Sequence, residues 1–327
     1  MKNIKDVARE AGVSAGTVSK VLKGYSSISE ATREKVLNAV DRLGYIPNSA
    51  ASTLSSKGTK KIGIYLNIND KFQQIDEINM LYVMGALDRC RELGVENLII
   101  SDESLWSVRY EDYRSYFSSL SIDGIIVFGL NKNDEGMLKM LQDKRFKFAV
   151  IDADFVDENI SHITVDQRQA QYDVARQVVE PGDRVLYLAG KENSFIADWR
   201  QTGIERLQKE MGFDLKIVRC DFSEAKAFAA AEEFANKYDC VVCASDLMAI
   251  GVRQACKRMG KRVRIAGFDG IRLLGYVSSS IITVKQDFYQ FGYRAVDEIM
   301  ALREGNPGRE VLLPYEIGHI HYRSVIK

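Results

Sequence analysis

Polar side chains that close short apolar runs are the first candidates for chemistry in this chain. Asn67, Asp102, Asn131, Asp152, Ser245, Asp246, Asp269 and Gln286 stand at the carboxyl ends of runs such as IGIYLNI (62–68), DGIIVFGL (123–130) and VRIAGFDG (263–270). In an open parallel sheet this is where ligands bind. Carboxylates, amides and a hydroxyl suit the hydroxyl groups of a small polar molecule. Asp246 precedes a helix, so an N-cap competes with ligand contact there, and Asp102 and Asn131 read as loop-end caps. Catalysis finds no support: there is no G-x-x-x-x-G-K-[ST], no G-x-S-x-G and no clustered His with Cys, and His162, His319 and His321 are dispersed. Cys240-Val-Val-Cys243 has metal-like spacing but lies in an apolar strand with no second pair. With Cys90, Cys220 and Cys256 the cysteines make an odd, scattered set, read as reduced thiols. Neither cofactor nor metal is expected.

The elements that must position these residues alternate strand and helix from Lys61 onward, the pattern of a parallel α/β sheet. A first series runs from strand 62–68 through helices near 76–93, 109–120 and 134–143 to strand 147–152. A second runs from helix 167–179 through strands 184–190, 215–222, 240–245 and 263–270. The segment IITVKQD, helix 288–303 and two strands in EVLLPYEIGHIHYRSV then cross between lobes. The fold class is an all-α helix-turn-helix head followed by two doubly wound parallel-sheet lobes, resembling the periplasmic-binding-protein fold. The domains are a head over residues 1–45, a linker over 46–60, and a two-lobed body over 61–327.

Ahead of that body, Ile4, Val7, Ala8 and Ala11 share one face at helical spacing, Gly12-Val13 breaks the run, and Ser14 opens a helix carrying Val18, Val21 and Leu22. A third helix over about 29–43 follows, with Val36, Val40 and Leu43 on its stripe and Gly44 as stop. This is a helix-turn-helix pattern whose second helix suits a DNA major groove. Whole-chain charge, 45 basic against 45 acidic, hides an asymmetry: residues 1–60 carry ten basic and five acidic side chains, net +5, so the rest carries −5. A basic head on a mildly acidic body suits phosphate contact at the head alone.

The runs IKDVAREAGVSAGTVSKVL and SEATREKVLNAVDRLGYIPNSAASTL closely resemble the DNA-binding head of the LacI/GalR family of bacterial sugar-responsive repressors. The resemblance continues through SDLMAIG (245–251), IAGFDG (265–270) and TVKQDF (283–288). It implies that Ala15, Gly16 and Lys20 face base edges while Ser14, Thr17 and Ser19 lie near phosphates. Here the chain departs from pattern. Ala15 and Gly16 offer no hydrogen-bonding side chain, and Lys20, where relatives often carry arginine, lacks the bidentate fork. The resemblance also implies that residues 47–54 form a hinge helix, too short to fold alone, in which Asn48, Ala51 and Leu54 meet DNA and Leu54 wedges the minor groove. In the body it assigns Asn67, Asp152, Arg200, Phe222, Ser245, Asp269 and Gln286 to effector contact. Asp198 stands where relatives often carry a second basic residue, which points away from an anionic effector and toward a neutral sugar or galactoside. Trp106 and Trp199 have faces that could stack on a sugar, but Trp199 neighbours Arg200 on a helix where core packing competes, and neither is counted among the effector residues.

The expected function is a sequence-specific repressor whose operator affinity a sugar-like inducer controls; the alternative is a catabolite-control regulator that depends on a corepressor or a phosphoprotein. Operator DNA, the effector and a second copy of the chain are the expected partners. A dimer is preferred because no C-terminal leucine heptads precede Lys327. The N-terminus MKNIKDVARE shows no signal-peptide pattern, and no run of about 18 apolar residues exists, so a cytoplasmic location is expected and an exported solute-binding role is not.

Overall fold

The computed structural model describes residues 4–22, 28–43, 60–66, 77–100, 109–278 and 280–325, and the chain divides into two units, residues 1–59 and 60–327. The first unit holds α1 (Ile4–Ala11), α2 (Ala15–Leu22) and α3 (Glu30–Leu43). Helix α1 stops where Gly12 adopts φ +68°, which lets the Val13 N–H return to the Ala8 carbonyl at 3.0 Å. That left-handed turn carries no steric penalty in glycine. Helix α2 starts where Ser14 Oγ accepts the Thr17 N–H at 3.0 Å, satisfying one of the donors a helix start leaves open. Val7, Val18, Val36 and Ala39 are fully buried at the meeting of the three helices. The expected hinge over 46–60, with Asn48, Ala51 and Leu54, lies outside the described residues except for Lys60, as do Asn67, Asp102 and Trp106.

The second unit contains two six-stranded sheets. Its strands are β1 (Lys61–Leu66), β2 (Asn97–Ile100), β3 (Ile122–Phe128), β4 (Lys147–Ile151), β5 (Ile160–Thr164), β6 (Arg184–Ala189), β7 (Asp214–Arg219), β8 (Cys240–Cys243), β9 (Arg264–Ala266), β10 (Ile282–Gln286), β11 (Glu310–Leu312) and β12 (Tyr315–His319). Its helices are α4 (Glu77–Leu93), α5 (Tyr110–Ser119), α6 (Glu135–Met140), α7 (Gln167–Arg176), α8 (Phe195–Met211), α9 (Glu224–Phe234), α10 (Asp246–Arg258), α11 (Leu273–Val277), α12 (Phe288–Arg303) and α13 (Tyr322–Val325). The strand orders are β11-β5-β4-β3-β1-β2 and β12-β10-β9-β8-β6-β7. All neighbours are parallel except β10 and β12.

Strand periodicity shows why both faces of the first sheet are covered. Ile62, Ile64, Leu66, Ile126 and Phe128 pack on one side with α4 and α12. The residues between them, Tyr65, Ile125 and Val127, pack on the other with Tyr113 and Phe117 of α5. Such strands read as continuous apolar runs because neither face meets water. Helices α4 and α12 touch through reciprocal glycines: a Cβ on Gly85 would lie 1.9 Å from the Tyr289 carbonyl oxygen, and one on Gly292 equally close to that of Tyr82.

The chain crosses between lobes three times. Strand β5 leads into α7, which packs on α8; β10 leads into α12, which returns to α4 and β4; and β11 joins the first sheet while β12 joins the second. Strand β5 is the element the apolar pattern misses. Ser161, His162 and Thr164 interrupt it, yet all five of its residues are buried. Ser161 is satisfied there because Glu298 of α12 accepts its hydroxyl at 2.9 Å and is itself paired with Arg309, and the Thr164 hydroxyl donates to Asp152 at 2.7 Å. The strand expected at 263–270 is shorter, Arg264–Ala266, since the chain bends at Phe268 and only Asp269 pairs again, in an isolated bridge with Lys285. Among the described residues no helix is long and apolar enough to cross a membrane.

Candidate functional site

Where the two sheets present the carboxyl ends of their strands, a chain of polar groups, buried except for the half-buried Asp152 and Gln286, runs from one lobe to the other. Asp152, just past β4, accepts the Thr164 hydroxyl at 2.7 Å and the Gln167 side-chain amide at 3.0 Å on Oδ1, with the Tyr82 hydroxyl 3.4 Å from Oδ2. Gln167 in turn accepts from Arg200 Nε at 2.9 Å. Arg200 Nη1 donates to the Ala244 carbonyl at 2.5 Å and to Asp269 Oδ1 at 3.1 Å. Gln286 approaches the same carboxylate oxygen at 3.5 Å. Four of the anticipated effector residues, Asp152, Arg200, Asp269 and Gln286, are thus joined in one network.

Arg200 is only 2% exposed. Its guanidinium also lies 3.7 Å above the Phe268 ring, so it is held on its face as well as at its edge. Burial raises the Asp269 carboxyl to about 6, with the charge and hydrogen bond of Arg200 acting in the opposite direction. Asp246 is raised well above the usual carboxylate range, first by burial and then by the charge of Asp269. Three donors brace it: the Gly270 and Ile271 N–H groups at 2.7 and 2.9 Å and the Thr283 hydroxyl at 2.7 Å. Asp246 therefore holds the loop that carries Asp269. The N-cap of α10 is its neighbour Ser245, whose Oγ accepts the Met248 N–H at 3.4 Å.

Backbone strain points to the same place. Among the described residues the non-glycine positions with positive φ are Ser121, Asp152, Asp221, Phe222 and Asp269. Such conformations persist only where the surroundings over-determine them, and they concentrate at binding sites. The Phe222 ring is pressed on Gly190 at the end of β6, where a Cβ would come within 2.1 Å of it. Phe222 and Ser245 follow β7 and β8, the two strands that flank β6, and neither side chain joins the hydrogen bonds of Arg200 described above.

Sequence reasoning overlooked Tyr82, Thr164, Gln167 and Phe268. Gln167 is the connecting member, and its position immediately after a lobe crossing was the available signal. Asp198 also needs revision: its carboxylate is ion-paired with Lys132, so it is not a free negative charge facing the cleft. Trp199 lies under Arg168, 5.2 Å from the ring centre, and 5.9 Å from His162, consistent with a packing role. Among the described residues no group of His, Cys, Asp and Glu has the arrangement of a metal site, and Cys240 and Cys243 are buried free thiols in β8.

In the head, Ser14, Gly16 and Lys20 are exposed and Ala15, Thr17 and Ser19 are half-buried, so all six stand outside the buried centre. The Ser14 and Thr17 hydroxyls are 2.9 Å apart, tied to each other at the start of α2. A Cβ on Gly16 would meet nothing nearer than Ser14 Oγ at 3.7 Å; packing does not demand glycine there.

Comparison with known proteins covers both units. Residues 3–48 match the model of bacterial regulatory proteins of the lacI family, and residues 154–319 match a periplasmic binding protein-like domain. The HTH-type transcriptional regulator RegA of Clostridium saccharobutylicum is 30% identical over 92% of each chain. Catabolite control protein A of Priestia megaterium is 27% identical over 88% of this chain and 89% of its own. Among solved structures, the lac repressor dimer bound to operator and the anti-inducer ONPF superimposes with a TM-score of 0.76 at 23% identity, covering 97% of both chains. The relatives are transcriptional regulators, not enzymes.

Proposed function

Because this chain belongs to the lacI family of bacterial regulatory proteins, DNA-binding transcriptional regulators with an effector-binding domain, we propose that it is a repressor whose operator affinity is set by a neutral, hydroxyl-rich, sugar-like molecule held between its lobes. The observation that carries this reading is the chain Asp152–Gln167–Arg200–Asp269, which links the lobes and so connects any ligand that displaces its members to lobe position. Two carboxylates and the Gln286 amide oxygen, buried without a partner, offer acceptors. The cation of this network among the described residues, Arg200, is already engaged by Gln167, Ala244 and Asp269. Such a set favours hydroxyl donors and disfavours phosphate or carboxylate ligands.

In this reading residues 1–45 are the DNA-binding head, 46–60 the hinge and 61–327 the body, and the protein acts in the cytoplasm as a homodimer. Ser14, Ala15, Gly16, Thr17, Ser19 and Lys20 approach DNA in the major groove, and Asn48, Ala51 and Leu54 at the centre of the operator. Asn67, Phe222 and Ser245 complete the pocket around the four networked residues. The effector acts by differential affinity for two lobe arrangements.

The test is a thermal-shift screen against neutral sugars, glycosides and sugar phosphates, since a ligand of the native state raises the melting temperature by mass action, followed by operator-binding assays with each hit. Stabilisation by neutral sugars with loss of operator binding is the expected result. Stabilisation only by sugar phosphates, or operator binding that strengthens with ligand, removes the neutral-inducer reading in favour of a corepressor or protein partner.

A further inference from the structure

Away from the polar network, the lobes meet a second time. Asn131 and Lys132 follow β3 of the first lobe; Asn193, Ser194, Phe195 and Asp198 open α8 of the second. Asn131 forms an isolated antiparallel bridge with Ser194, and the Lys132 N–H donates to the Asn193 carbonyl at 3.0 Å. The Lys132 ammonium pairs with the Asp198 carboxylate and lies 5.5 Å from the centre of the Phe195 ring. That ring packs edge-on against Phe155 of the first lobe, centres 5.6 Å apart at 81°. Backbone pairing, an ion pair and an aromatic contact thus converge on a few residues.

Topology makes this meeting independent of the crossings. Strand β3 stands two places from β5 in the first sheet, and β6, which leads into α8, stands three places from β10 in the second. The covalent connections leave from β5, β10 and β11, all on the β5/β11 and β10/β12 side of their sheets, so the contact joins the lobes at a separate point. A body linked at one side and clasped at another cannot open by hinge motion unless the clasp parts. Arg200 and Asp269 are 2% and 7% exposed, so a molecule reaching them must pass between separated lobes.

We infer that Lys132 and Asp198, with Phe155 and Phe195, form a clasp that holds the lobes closed without any ligand and must release for a ligand to enter or leave. The clasp controls the population of open lobes and thereby the rate and apparent affinity of exchange. The Lys132 and Asp198 side chains are 36% and 50% exposed. A pair so exposed shifts an equilibrium by no more than about fivefold, and the Phe155–Phe195 contact contributes separately. Charge-based parting is screened by salt, whereas the aromatic contact is not.

The experiment measures interlobe distance in the unliganded full chain by electron–electron spin resonance, with labels on cysteines introduced at the exposed positions Lys139 and Glu233. The native cysteines are buried. Lys132→Glu and Asp198→Lys, made singly, are expected to increase the open population severalfold, and the double exchange Lys132→Glu with Asp198→Lys to restore the closed one. Phe195→Ala is expected to open the lobes even at high salt. Unchanged distances in both single charge variants overturn the inference. Opening that the double exchange fails to reverse overturns the pairing as its cause.

Discussion

At the residue scale the body's design rests on compensated charge. Arg200 and Asp269 are a buried pair, and such pairs specify geometry more than they add stability, because desolvation offsets their attraction. Removing one partner leaves the other buried and uncompensated, at a cost of about 3–5 kcal/mol. Arg200→Ala is therefore expected to lower the body's unfolding free energy and abolish the effector response while operator binding persists; a normal response in operator-release assays removes Arg200 from the pocket. Asp269 also makes a pH prediction. Its native-state pKa, about 6, lies above the ordinary carboxylate value, so the native protein favours the protonated form, and the stabilisation present in acid is lost as pH rises through about 6. Urea titrations should show wild type gaining stability relative to Asp269→Asn as pH falls from 7 to 5. A difference independent of pH contradicts the assignment. In the head, Gly16 has room for a methyl group and lies in the first turn of α2. Gly16→Ala is expected to stabilise α2 by up to about 1 kcal/mol, seen as slower amide exchange there.

Elements in the first lobe depend on how closely two helices approach. A Cβ at Gly292 would overlap the Tyr82 carbonyl oxygen, and Tyr82 itself reaches Asp152. Backbone cannot yield as a flexible side chain does. Gly292→Ala is expected to force α4 and α12 apart and cost about 1–3 kcal/mol, with an added loss of effector affinity as Tyr82 leaves Asp152; an unchanged denaturation midpoint refutes that. Strand β5 illustrates the limit of apolar periodicity. Ser161 is buried with partners that α12 and Arg309, distant in sequence, supply. Nothing local to NISHIT announces this. The long helices and the apolar strands β1, β3, β4, β6 and β8 were legible in the sequence because burial on both faces leaves an unbroken apolar run.

For the whole molecule, regulation needs the head and body to be connected through a segment whose order depends on its surroundings. In the proposed function residues 46–60 are that segment, and the eight residues of the helix expected at 47–54 are too few for an isolated helix. Leu54→Ala is expected to weaken specific operator binding by several-fold to about a hundredfold, the scale of removing a minor-groove wedge, while ligand-induced thermal shifts remain. Equal operator affinity for variant and wild type excludes the wedge.

Local pattern in the sequence determined the helix-turn-helix head, the alternating α/β body, the strand-end carboxylates and the family, because caps, periodicity and dense motifs are encoded by near neighbours. Tertiary structure alone decided that Gln167 joins Asp152 to Arg200, that Ser245 rather than Asp246 caps α10, and that Lys132 neutralises Asp198. Those relations join residues 15 to 66 positions apart, or exchange roles between adjacent ones. A linear pattern carries no distance between such groups; only the packing of two sheets brings them within reach of a hydrogen bond.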